Sequence, residues 1–198
     1  DGVCVDGNKL VTDKDGRKVT SPFFREIFSV GVEAPRGDRL SFQKVVNFIL
    51  WLRRNGFNVN TVSTDQYQSS FLRELLTAQG FRTSKISVDR SEDPYIGLRS
   101  ILYEQRIELI RNEVRDDELI HLQRSNGKID HPLTKSDGGK GSKDISDCLC
   151  GACWTHTTEH TKTQPSRKNV AKAINRVNGV SSINRNPMNG IFNTPKRY

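Results

Sequence analysis

The run Phe57-Asn58-Val59-Asn60-Thr61-Val62-Ser63-Thr64 constrains the chain more than any other stretch, because of what flanks it. Its apolar and β-branched residues suit a buried strand, and it lies between two segments of helical period. Before it, Phe42, Val45, Val46, Ile49, Leu50 and Leu52 recur at helical spacing behind Ser41, a residue able to cap a helix, and Gly56 stops them. After it, Phe71, Leu72, Leu75 and Leu76 mark a second helix from about Ser69 to Gln79, with Gly80 as its terminator. Phe81 to Val88 then reads as another strand. This alternation predicts an α/β fold, a central mixed sheet flanked by helices.

The rest of the chain can be read in the same way. Residues 3–11 alternate weakly around Asp6-Gly7 and predict a hairpin. Phe23 to Val32 predicts a strand. Pro94 opens a third helix with Ile96, Leu98, Ile101 and Leu102 inside, and Glu118, Leu119 and Leu122 suggest a fourth. Lys128-Ile129-Asp130 is a short extended piece, and a last helix is expected from about Asp144 to Thr155.

Charge divides the chain. Of its net charge of +8, residues 155–198 carry +7, with eight Lys/Arg against the single acid Glu159. At 198 residues and 34% hydrophobic, the chain can build one ordinary core. Residues 1–155 are therefore read as the globular domain and 156–198 as a basic tail that cannot bury enough surface to fold alone. Such a tail is compatible with a nonspecific phosphate-binding arm, and Val170, Ile174 and Val177 could form a short apolar stripe on it. No apolar run approaches the roughly 20 residues of a membrane span, and there is no secretory signal. The chain opens on Asp1 rather than Met, which predicts a fragment or a processed product.

Cys148, Cys150 and Cys153, followed by His156 and His160, have the look of metal-ligand spacing. On one helix, however, Cys148 and Cys150 face opposite sides, whereas zinc needs convergent ligands. Small buried thiols packing a helix against a sheet are the expectation. Cys4 stands too far from them to imply a disulfide framework.

The acids offer better chemistry. Open α/β sheets bind ligands beyond the carboxyl ends of their strands, and Asp65 follows such an end directly. Taken alone, it could also merely cap the next helix. Asp144 and Asp147 are one helical turn apart and share a face, although Asp144 also suits the first turn of a helix as a charge. Carboxylates from separate elements beside basic loops suit two Mg²⁺ or Mn²⁺ ions acting on a phosphodiester. Lys128, Lys135, Lys140 and Lys143 crowd the loop before the last helix, either to meet phosphates or simply as a solvated loop. Gly139-Lys140-Gly141-Ser142 is not a nucleotide phosphate loop, since no Gly stands at 134 and Gly follows the Lys.

Several motifs occur in a characteristic order. They are Val62-Ser63-Thr64-Asp65-Gln66-Tyr67-Gln68-Ser69, Gly80-Phe81 leading to Ser87-Val88-Asp89-Arg90, and Pro94-Tyr95; then Lys128-Ile129-Asp130-His131-Pro132, and Gly141-Ser142-Lys143-Asp144-Ile145-Ser146-Asp147 followed by Gly151-Ala152. In this order, over about residues 20–155, the chain resembles the C-terminal nuclease domain of the large terminase subunit of tailed bacteriophages. The resemblance implies a ribonuclease H-like fold and a two-metal endonuclease, using Mg²⁺ or Mn²⁺, that cuts concatemeric duplex DNA during genome packaging. It also implies partners, the portal and the small terminase subunit, and a place in the cytoplasm of an infected bacterial host. Asp65 matches the family's second carboxylate and Asp144 its third, with Asp147 as substitute or auxiliary. The first carboxylate lies on an opening strand that comes before the first hairpin, so the fold is expected to lack that strand here, and the chain as given is expected to cut DNA poorly or not at all. The family shows small aliphatic residues at the positions of the three clustered cysteines. The alternatives are a DNA-binding or assembly module of the same fold that does not cut, and another ribonuclease H-like nuclease such as a junction resolvase.

Overall fold

A computed structural model describes residues 1–13, 15–34, 36–65, 70–134 and 141–163, with side chains to 158. Asp1–His160 forms one compact unit and Thr161–Tyr198 a second. Residues 164–198 lie outside the described residues, and with them most of the reading of 156–198 as a tail that does not fold alone; 156–163 instead continue a helix.

Two long strands open the chain. β1 (Gly2–Thr12) and β2 (Lys18–Phe28) pair antiparallel from Thr12↔Lys18 back to Gly2↔Phe28. Asp6-Gly7 is therefore no hairpin turn. Gly7, at φ +85°, lies in a register shift between Val5 and Asn8, so its left-handed backbone makes a bulge and the strand runs on. The reversal comes later, where Asp13 Oδ1 accepts the amides of Asp15 (2.9 Å) and Arg17 (2.8 Å). This placement moves β2 toward the N-terminus of the expected Phe23–Val32 strand.

The alternating segment folds in the expected order, but the expected strands Phe57–Thr64 and Phe81–Val88 shorten to four residues each. α1 (Phe42–Arg54) leads into β3 (Thr61–Thr64), α2 (Ser70–Ala78) and β4 (Arg82–Lys85). Ser41 holds the N-cap position with extended backbone, but its side chain makes no capping bond. Both helices end in the same way. Gly56 (φ +90°) donates to Arg53 O and Phe57 N to Leu52 O; Gly80 (φ +77°) donates to Thr77 O and Phe81 N to Leu76 O. These paired bonds are Schellman closures, and each needs a residue at positive φ. Each returns the chain toward a strand, and β3 and β4 pair parallel from Thr61↔Arg82 to Thr64↔Lys85. Val46, Leu76 and Phe81 form the core of this half.

α3 (Asp93–Tyr103) carries Pro94 in its first turn, where a missing N–H costs nothing. It is followed by β5 (Ile107–Glu108), α4 (Glu113–His121), β6 (Gln123–Ser125), β7 (Lys128–Asp130) and α5 (Asp144–Thr163). β5 extends β2 in parallel, and β6 and β7 form a hairpin about Asn126 (φ 51°) and Gly127 (φ 74°). Among the described residues the strands therefore fall into three small sheets, β1-β2-β5, β3-β4 and β6-β7, where one central sheet was expected. The second core joins Phe24, Val88, Tyr95, Leu98, Ile101 and Leu149 to Cys150 and Cys153. Those two thiols are fully buried and Cys148 on the other face is exposed, so they pack the helix. Burial pushes the Cys153 thiol up to about 12, which keeps it protonated.

α5 runs past the expected Thr155 to Thr163. Along this stretch Thr155, Thr157 and Thr158 each donate a hydroxyl to the carbonyl four residues back, at 2.8, 2.9 and 2.9 Å, which satisfies these polar side chains within the helix.

Candidate functional site

The start of α5 is fastened by three earlier segments. Gly141 lies so close to the His131-Pro132 step that a Cβ there would stand 1.9 Å from Pro132 O and 2.7 Å from His131 Nδ1. Only glycine fits. From α4, the buried Glu118 accepts Ser146 N at 2.7 Å through Oε2 and Ser142 Oγ at 3.0 Å through Oε1. A carboxylate there satisfies an orphan amide and complements the positive end of the helix.

The third attachment comes from the β4 side. Lys143 Nζ donates to Asp89 Oδ1, and it also lies 3.3 Å from Asp147 Oδ2 and 3.4 Å from Asp147 Oδ1. Asp89 stands four residues beyond the last residue of β4. On the same carboxyl edge of the parallel pair, Asp65 directly follows β3 and is exposed. From α3, the buried Tyr95 donates its hydroxyl to Asp147 Oδ1 at 2.6 Å, with Ser146 Oγ at 3.3 Å.

Electrostatics follow from burial. Desolvation pushes the Asp147 carboxyl from 3.8 up to about 6, against the Tyr95 hydrogen bond and the Lys143 charge, which pull it down. For Lys143, burial alone would lower the ammonium. The bond to Asp89 and the charge of Asp147 outweigh it, so its pKa lies above the ordinary lysine value. Tyr95 is pushed up by burial and by Asp147, and it stays a proton donor.

Of the sequence-derived candidates, Asp147 is thus drawn into a cluster. Asp144, the first residue of α5, is exposed, and its Oδ2 lies 3.3 Å from Ser142 Oγ. Lys128 is exposed on β7, whereas the Lys143 side chain is 9% exposed and turned against carboxylates. Lys135 and Lys140 lie outside the described residues. Asp89, Tyr95, Ser146 and Glu118 escaped the residue-by-residue reading of chemistry. Asp89 and Tyr95 nevertheless sit in ordered motifs, and Lys143-x-x-x-Asp147 has the spacing of a helical ion pair.

As metal ligands, these side chains fit in kind. Carboxylate and hydroxyl oxygens suit a hard divalent cation, and the Lys143 ammonium already holds a cation's place between Asp89 and Asp147. They do not make a full set. Among the described residues, no three His, Cys, Asp or Glu side chains form a group able to hold a metal ion.

No protein-family model matches the chain, and no curated protein matches it by sequence. Two solved structures resemble it. One is the large terminase nuclease from thermophilic phage G20c, at TM-score 0.44 and 18% identity over 58% of this chain. The other is the HK97 bacteriophage large terminase, at TM-score 0.46 and 11% identity over 75% of this chain. The chain spans 62% of the first structure's length and 36% of the second's. Likeness at this level describes a partly shared chain path and says nothing of activity.

Proposed function

We propose that the chain is a metal-dependent DNA endonuclease domain of the phage terminase type, with a ribonuclease H-like arrangement, cutting concatemeric duplex DNA during packaging. The observation that carries the reading is the Asp89–Lys143–Asp147 bridge. It ties the start of α5 to the carboxyl edge where β3 delivers Asp65, the edge at which α/β sheets bind ligands. The ordered motifs supply the bridge from both ends: Ser87–Arg90 holds Asp89, and Gly141–Asp147 holds its partners.

In this reading Asp65, Asp144 and Asp147 would be the acids that hold Mg²⁺ or Mn²⁺, and the metal would supply Lewis acidity toward water and the leaving oxygen. Tyr95 orients Asp147, and Glu118 keeps the first turn of α5 in place. Lys128, with Lys135 and Lys140, meets the DNA backbone, and Lys143 balances the acids from inside. The portal and the small terminase subunit would be partners, and the cytoplasm of an infected bacterial host the setting. No helix among the described residues is long and apolar enough to cross a membrane.

One observation favours a second reading. Lys143 already offsets part of the charge of Asp89 and Asp147, and no three-ligand group is present among the described residues, as suits a module that binds DNA without cutting. Incubation with supercoiled plasmid in Mn²⁺ or Mg²⁺, with EDTA controls and a parallel gel shift, separates the two. Metal-dependent nicking supports the nuclease. A gel shift without nicking supports the module.

A further inference from the structure

α1 turns its apolar side to Leu76 and Phe81, yet its outer side is not the polar surface that an amphipathic helix usually shows water. At 100° per residue, Lys44, Phe48, Trp51, Arg54 and Asn55 fall on one side of the helix, and all are exposed. Phe48 is 38% and Trp51 54% exposed. Their rings stack with centroids 6.1 Å apart and planes at 16°. Phe28 meets Phe48 edge-on at 6.2 Å, which fixes the inner ring from behind.

The charge that α1 itself contributes has one sign. From Arg39 to Thr64 the chain has no Asp or Glu, while Arg39, Lys44, Arg53 and Arg54 are basic. Arg53 is committed to structure, lying over the Phe81 ring and donating to Gln79 O and Val59 O. Lys44 and Arg54 flank the aromatic pair and form no ion pair among the described residues.

We propose that this side of α1 is a binding site for single-stranded DNA, with Trp51, backed by Phe48, as the stacking platform and Lys44 and Arg54 as phosphate contacts. Exposed flat rings fit unpaired bases, because a duplex keeps its base faces stacked on one another. The absence of acids across 26 residues (39–64) argues for a polyanion over an apolar protein surface. The rings are already held in place, so little side-chain freedom is lost on binding. This proposal does not rest on the nuclease reading, and binding can be measured without cutting.

The test is fluorescence anisotropy of a labelled oligo(dT) 20-mer at low salt with EDTA present, alongside Trp emission and sedimentation velocity. The wild-type protein is expected to bind with quenching of Trp emission and to prefer the oligonucleotide over a blunt duplex of equal length. Trp51→Ala should weaken binding about tenfold and remove most of the quenching, and Phe48→Leu should weaken it less. Lys44→Ala with Arg54→Ala should flatten the salt dependence. Tyr103→Ala, an exposed ring on α3, should change nothing. Equal affinity of wild type and Trp51→Ala would overturn the proposal. So would self-association abolished by Trp51→Ala without any effect on the oligonucleotide, which would make this side a protein contact.

Discussion

The Tyr95 hydroxyl donates to Asp147 Oδ1 at 2.6 Å, joining α3 to the first turn of α5. Tyr95 is buried in the same core as Leu98, Leu149 and Cys150, so it approaches the carboxylate from the packed side while Lys143 approaches with charge. Asp147 thus keeps a fixed orientation without being freely solvated, which sets up the first prediction.

The Asp147 carboxyl is raised from 3.8 to about 6 in the folded protein. A raised carboxyl binds its proton more tightly folded than unfolded, so its stabilising contribution is complete below about pH 4 and is lost as pH rises through about 6. Urea unfolding of wild type and Asp147→Asn at pH 4, 5, 6 and 7 should show the variant gaining on wild type across that window. Tyr95→Phe removes a bond that favours the ionised form, and carbon NMR of Asp147 should then report a still higher pKa. A lower value would contradict the arrangement.

Glu118→Ala leaves the buried Ser146 N without its acceptor and Ser142 Oγ with only the 3.3 Å contact to Asp144 Oδ2. The expected loss is about 1–3 kcal/mol for the orphaned amide, read as a lower urea midpoint at unchanged slope. Glu118→Gln keeps one carbonyl oxygen and should lose less.

Gly141→Ala puts a methyl group into Pro132 O. Backbone atoms cannot yield as a flexible side chain does, so the loop must shift. The variant should melt several degrees lower, and its nicking should fall by more than that of an exposed change such as Lys128→Ala.

Much of the α/β alternation was legible for a local reason. Gly56-Phe57 and Gly80-Phe81 terminate helices by closures made within six residues, Leu52 to Phe57 and Leu76 to Phe81. Partition of the strands into three sheets was not legible, because lateral pairing depends on partners far away in sequence. β5 and β6, of 2 and 3 residues, are too short to show any period, although Asn126-Gly127 was a readable turn signal for the second. In the site, Asp147 and its helix start could be read from the sequence. The Asp89 and Tyr95 contacts could not, since each bridges more than fifty residues. Lys143 looks like the other loop lysines until burial, which local composition does not encode, turns it toward two acids.

The central claim is that the chain's own acids support metal-dependent cutting, and plasmid nicking by Asp65→Asn, Asp144→Asn and Asp147→Asn beside wild type tests it most directly. In Mn²⁺, wild type should nick only weakly, as a site short of the family's first acid does, with little sequence preference, and EDTA should stop it. Asp65→Asn and Asp144→Asn should abolish nicking, Asp147→Asn should reduce it, and Tyr95→Phe should lower it by roughly 10–100-fold, as loss of a ligand-orienting hydrogen bond does. Undiminished, EDTA-sensitive nicking by Asp65→Asn would contradict the account.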